Sequence, residues 1–193
     1  MITAIVLAAG ASERMGKQKL LLPFLDTTVL ASTVAAACTS SVENVIVVTP
    51  PDSEAYATAV DDCDATIVIN EDPSRGNMSS LLTAVDADGD AEAFILLAGD
   101  LPTLRTTAID ALVDLWDKKA PWAGVTRYTN RIAHPFLLSR QAIDDLRHLE
   151  GSKILWQALV VSADSRVASV ERQDAAPLDV NTPGDYERLR GNA

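Results

Sequence analysis

Short runs of β-branched and aliphatic residues alternate with longer stretches of helical periodicity along almost the whole chain. Ile2–Leu7, Asn44–Val48, Thr66–Ile69, Ala93–Leu97, Ala123–Thr126 and Arg166–Val170 read as strands. Between and after them, Val29–Cys38, Ser53–Val60, Ser79–Val85, Thr106–Lys119, Arg140–Leu146, Ser152–Val160 and Gly184–Arg190 carry helical spacing. The strand runs lack polar alternation, which marks strands buried on both faces. This order predicts an α/β fold: a mostly parallel sheet flanked by helices, joined by right-handed crossovers. One segment, Tyr128–Leu138, breaks the rhythm, because turn-like Thr129-Asn130 lies between residues able to pair, and it predicts an antiparallel excursion. No repeat or low-complexity linker divides the chain, so residues 1–193 are expected to form one domain.

Charge narrows the choice of partner. The chain has 16 Lys and Arg against 27 Asp and Glu, a net charge of −11, which disfavours nucleic acid and anionic membranes. Cys38 and Cys63 lack metal-ligand spacing and read as free thiols. The apolar start resembles a secretion signal only superficially: it lacks a basic lead, and its apolar run is about eight residues long. No stretch approaches the roughly 18–20 apolar residues of a membrane span. The expected setting is the cytoplasm.

In sheets of this kind, ligands collect beyond the carboxyl ends of the strands. After the first strand come Ala8-Ala9-Gly10-Ala11-Ser12 and then Arg14, Lys17 and Lys19, a cationic cluster in an acidic chain. A bare-backbone turn with local positive charge describes a phosphate cradle. Gly10 and Ala11 would offer N–H groups, Arg14 a planar fork and Lys19 a point charge. It is not a P-loop: five residues separate Gly10 from Gly16, and Gln18 stands where a metal-binding hydroxyl is required. After the fourth strand run, Asp100 follows Gly99 at the sheet mouth, where it reads as a Mg²⁺ ligand or as a turn residue before Pro102. Asp179 and Asn181 are two apart, so on an extended strand they share a face, and either is a candidate second metal ligand. Thr182 then caps a helix begun by Pro183. Ser79 and Ser80 are either caps or hydroxyls offered to a base or ribose. His134 is either structural or a contact to a second substrate.

Together the segments Leu7–Phe24, Asn77–Leu81, Gly99–Leu104, His134–Phe136 and Asp179–Pro183 resemble the MobA-like nucleotidyltransferases, and among them the molybdenum-cofactor cytidylyltransferases. The resemblance implies a Rossmann-like fold of the nucleotide-diphospho-sugar transferase type. It implies transfer of a nucleoside monophosphate from an NTP, with Mg²⁺, to the phosphate of molybdopterin, with pyrophosphate leaving. It assigns Arg14, Lys19 and Asp100 to catalysis, and Leu7, Ala8, Ala9, Gly10, Ser12, Arg14, Lys19, Asn77, Ser79, Ser80 and Asp100 to the nucleotide. Asp100, Asp179 and Asn181 would hold the metal, and His134 would face the acceptor. Ala8-Ala9-Gly10 resembles the CTP-using branch. The implied partners are small molecules, together with a molybdoenzyme or its chaperone. Another phosphorylated acceptor, such as a sugar phosphate or methylerythritol phosphate, fits the same logic. So does a non-catalytic nucleotide-binding partner of molybdoenzymes. Gly151-Ser152-Lys153 departs from the acidic element usual in the family.

Overall fold

Residues 1–10, 18–149 and 153–191 are described by the computed structural model. Chain order is β1 (Ile2–Leu7), β2 (Pro23–Phe24), β3 (Thr27–Thr28), α1 (Val29–Cys38), β4 (Asn44–Thr49), α2 (Glu54–Ala59), β5 (Thr66–Ile69), α3 (Asn77–Ala87), β6 (Ala93–Ala98), α4 (Thr106–Lys119), β7 (Ala123–Arg127), β8 (Ile132–Ser139), α5 (Arg140–Leu146), α6 (Ile154–Trp156), β9 (Val167–Glu171) and α7 (Pro183–Gly191).

The run of β1, apolar but for Thr3, places it mid-sheet, parallel to β4 on one side and to β6 on the other. The seven strands run in the order β5-β4-β1-β6-β8-β7-β9. Only β8 is antiparallel to its neighbours β6 and β7, as the excursion in Tyr128–Leu138 predicts. Side chains alternate across the sheet. Ile2, Ala4, Val6 and Ala8 join one core layer with α1 and α4, whereas Ile5 and Ala9 join the other with α3 and α5. Both layers are needed to bury so apolar a strand, and each fully covered Leu, Ile or Phe contributes roughly 1.5–3 kcal/mol.

Three elements differ from the sequence-based expectation. The β2–β3 hairpin pairs only Pro23 with Thr28 and Phe24 with Thr27, too short a ladder to leave a periodic signal. Helix α3 starts at Asn77, earlier than expected, because Gly76 takes φ +85° and turns the chain into it. The helix expected over Ser152–Val160 is a single α turn at Ile154–Trp156 that widens into a π turn over Gln157–Val161. That widening is closed by the Ser162 N–H donating to the Gln157 carbonyl at 2.9 Å. Among the described residues, no helix is long and apolar enough to cross a membrane.

Candidate active site

The carboxyl ends of β1 and β6 set the site, and their backbones lock together there. Gly99 N–H donates to Leu7 O (3.0 Å), and on the other side of β1 Ala8 N–H donates to Val48 O of β4 (2.8 Å). Ala8 and Ala9 are buried, so their methyl groups belong to the core rather than to a ligand. Gly10 is exposed and does not adopt a left-handed conformation, and among the described residues a Cβ added to it would meet nothing within 4 Å.

Helix α1 braces the opposite side of the site. Thr33 is buried in an otherwise apolar face, within hydrogen-bond reach of Gly99 O (3.2 Å) and accepting from Leu101 N–H (3.2 Å). These two contacts bracket Asp100 and hold its turn. The carboxylate of Asp100 accepts from Lys19 Nζ at 2.5 Å, and the same ammonium donates to Asn181 Oδ1 at 3.2 Å. Lys19 reaches this point because the single 3-10 turn Lys19–Leu21 buries Leu20 beneath it. Asn181 arrives from a different part of the chain. Val180 N–H donates to Asp100 O (3.1 Å), pinning the approach to α7 against the β6 turn. Three residues separated by up to 162 positions thus meet at one cation.

Asp179 lies beside this group. It is not on a strand, as the two-residue spacing suggested, but in the irregular segment before α7. There it pairs with Arg131 at 3.2 Å. Burial pushes its carboxyl above the ordinary carboxylate value, and the nearby Asp100 charge pushes the same way, while Arg131 and His134 oppose. Thr182 and α7 behave as expected: Asp185 N–H donates to Thr182 Oγ1 (3.2 Å), and Thr182 N–H donates back to Asp185 Oδ2 (2.8 Å).

His134 owes its position to an irregularity in β8. Val125 pairs with Phe136 but Thr126 pairs with Ala133, so His134 and Pro135 form a bulge. Both bulged carbonyls are satisfied, His134 O by Tyr128 Oη (3.0 Å) and Pro135 O by Thr126 Oγ1 (2.8 Å). The imidazole Nδ1 lies 3.0 Å from Leu96 O, which can only accept, so Nδ1 carries the proton and Nε2 presents a lone pair. The ring packs on Phe136, centroid to centroid 4.5 Å. Leu7, Asn77 and His134 line one cavity of about 130 Å³. Ser79 and Ser80 are turned elsewhere: both hydroxyls accept from Asn70 Nδ2 at 2.9 Å, and Ser80 is buried. Ser12 and Arg14 lie outside the described residues.

The description MobA-like NTP transferase domain matches residues 4–168. The chain belongs to this family. A crystal structure of Rv0371c from Mycobacterium tuberculosis H37Rv is 33% identical, with 98% of this chain and 97% of that one covered at a TM-score of 0.86. Another structure of Rv0371C from that organism, in complex with manganese, is 30% identical, with 100% and 99% covered and a TM-score of 0.84. A molybdenum cofactor cytidylyltransferase from Escherichia coli (strain K12) is 28% identical, with 96% of this chain and 93% of that protein covered.

For a MobA-like NTP transferase, the oxygen set around Lys19 has the right chemistry for a divalent cation. Asp100 Oδ2 and Asn181 Oδ1 already converge on an ammonium, and Asp179 carries a second carboxylate close enough to feel the first. Among the described residues, no three His, Cys, Asp or Glu side chains cluster as a metal cage. One or two carboxylates completed by water and phosphate oxygens are the Mg²⁺ pattern, not that of a structural zinc. Sequence reasoning missed Arg131, Thr33 and Asn70. The hydroxyl pair Ser32-Thr33 inside the otherwise apolar run of α1 was the available signal for Thr33.

Half-buried His134 gives the site a pH response. Burial holds its imidazole below the usual value near 6.5, against the hydrogen bond to Leu96 and the charges of Asp100 and Asp179, which push it up. Below pH 6.5 the unfolded chain takes up a proton that the folded chain refuses, so the contribution is full above 6.5 and falls towards the depressed folded value. Urea denaturation between pH 7.5 and 5.5 is expected to show the wild type losing stability relative to His134→Gln. Parallel curves would refute the assignment.

Proposed function

We propose that the chain transfers CMP from CTP to the phosphate of molybdopterin. An oxygen of the acceptor phosphate attacks the α-phosphorus of CTP, the bond from that phosphorus to the bridging oxygen breaks, and pyrophosphate leaves. The observation carrying this reading is the convergence of Lys19, Asp100 and Asn181 beyond β1 and β6, beside open backbone at Gly10. That arrangement suits phosphoryl-type transfer, in which positioning and charge neutralisation do most of the work. The choice of CTP and molybdopterin rests on the likeness to the E. coli cytidylyltransferase and on Ala8-Ala9-Gly10.

Asp100, with Asp179 or Asn181, would hold Mg²⁺, which supplies Lewis-acid polarisation of the phosphate oxygens. With the cation bound, Lys19 would turn from Asp100 to the departing pyrophosphate, the role that the family resemblance also gives Arg14. Leu7, Gly10 and Asn77 would face the nucleotide, with Ser12, Ser79 and Ser80 nearby in sequence, and His134 would face the acceptor. The product would pass to a molybdoenzyme or its chaperone. Pyrophosphate release measured with each of the four NTPs, with and without molybdopterin, tests the reading. Release that requires both CTP and molybdopterin is expected. Release with a sugar phosphate or methylerythritol phosphate in place of molybdopterin would replace the acceptor, and no release with any acceptor would leave a nucleotide-binding partner.

A further inference from the structure

A second cleft, of about 550 Å³, adjoins His134 and is lined by Arg131, His134, Phe136, Trp156, Val160 and Asp179. It shares His134, Phe136 and Trp156 with the smaller cavity that Leu7 and Asn77 line, and Asp179 with the candidate metal ligands. One end is therefore continuous with the reaction centre. The other end is built of aromatic and aliphatic surface.

Trp156 is the unusual part of that surface. Trp122 is buried and Trp116 packs against the core, whereas Trp156 is 42% exposed. Its ring stands edge-on to Phe136 at 6.5 Å and 61°, and Phe136 in turn packs on His134. An indole is costly to leave in water unless something covers it, and it gains most from a flat partner on its face. The backbone that presents it is also irregular: the π turn over Gln157–Val161 begins at the next residue and brings Val160 into the same cleft. Such one-turn widenings concentrate at functional sites.

We infer that Trp156 is the acceptor platform, stacking a planar unsaturated heterocycle whose phosphate points back towards Asp179 and Asp100. The inference rests on the transferase reading and adds a specificity-determining residue to it. The orientation follows from the shared residues. The acceptor phosphate must reach the α-phosphorus near Lys19 and Asp100, so its remaining body extends along the cleft past Phe136 to Trp156. A flat unsaturated ring can cover the Trp156 face with its own while its polar edge meets Arg131 and His134, which line the same cleft. A saturated polyol has no such face to stack.

Two measurements separate this inference from the reading beneath it. Pyrophosphate release by the wild type with CTP and molybdopterin tests the transferase reading alone. Calorimetric titration with 6-hydroxymethylpterin, and with ribose 5-phosphate as the comparison, tests the platform without turnover. Trp156→Leu is expected to weaken pterin binding about 10- to 100-fold, the scale of one lost base-stacking contact, and to raise the KM for molybdopterin while leaving that for CTP in place. Trp156→Phe is expected to restore binding to within about threefold. The platform is overturned if the wild type does not bind the pterin, if it prefers ribose 5-phosphate, or if Trp156→Leu binds pterin as the wild type does. A parallel rise in both KM values would overturn it too, by assigning Trp156 to packing of the whole site.

Discussion

Asp100→Asn is expected to lower CTP-dependent pyrophosphate release by about 10³-fold while the protein stays folded. Asp100 is held from three directions: its carboxylate by the Lys19 ammonium, its backbone carbonyl by the Val180 N–H, and its neighbours Gly99 and Leu101 by Thr33. The amide keeps the shape and an oxygen for Lys19, so the core behind it is untouched. What it removes is the full negative charge required to hold a divalent cation against the phosphates. Electrostatic groups aimed at developing charge are each worth about 10²–10³ in rate, and a metal ligand lies at or above that range. Thermal unfolding monitored by circular dichroism should stay close to the wild type, and Mg²⁺ binding measured by calorimetry should be lost. Activity within tenfold of the wild type would remove Asp100 from the metal site.

The reasons that part of this site was legible in the sequence, and part was not, are physical. Strand β6 and Asp100 were readable because a fully apolar run ending in glycine and an acid fixes both the burial and the edge at which the acid emerges. The reversal into β8 was readable from the turn at Thr129-Asn130. Lys19 and Asp100 could each be singled out, but their contact could not, because it depends on the 3-10 turn that drops Leu20 into the core. The extended strand expected to align Asp179 and Asn181 is not formed. They lie on irregular backbone, and their side chains diverge, Asp179 to Arg131 and Asn181 to Lys19. Arg131 carried no signal of its own, since a basic residue after a turn usually faces water. Trp156 was hidden in what read as an ordinary helix; it is exposed in the α turn just before the widened one.

Gly99→Ala is expected to cost about 1–3 kcal/mol of stability and, with it, about 10²-fold in turnover, although the substitution adds one methyl group. A Cβ at Gly99 would stand 3.0 Å from Leu7 O and 3.1 Å from Leu30 Cδ1. Neither neighbour can yield easily. Leu7 O belongs to β1 and already accepts the Gly99 N–H, and Leu30 is fully buried on α1. The β6 turn must therefore move away, and the next residue along it is Asp100. Displacing a catalytic group by about 1 Å is enough to cost 10²-fold in rate, so a packing defect becomes a chemical one. In a domain of this size the melting temperature should fall by about 2–4 °C for each kcal/mol. Gly89→Ala is the matched control, because a Cβ there meets nothing within 4 Å and the position is remote in sequence from every site residue. Equal stability and turnover for the two variants would show that the close approach of β1 to the β6 turn does not set the position of Asp100.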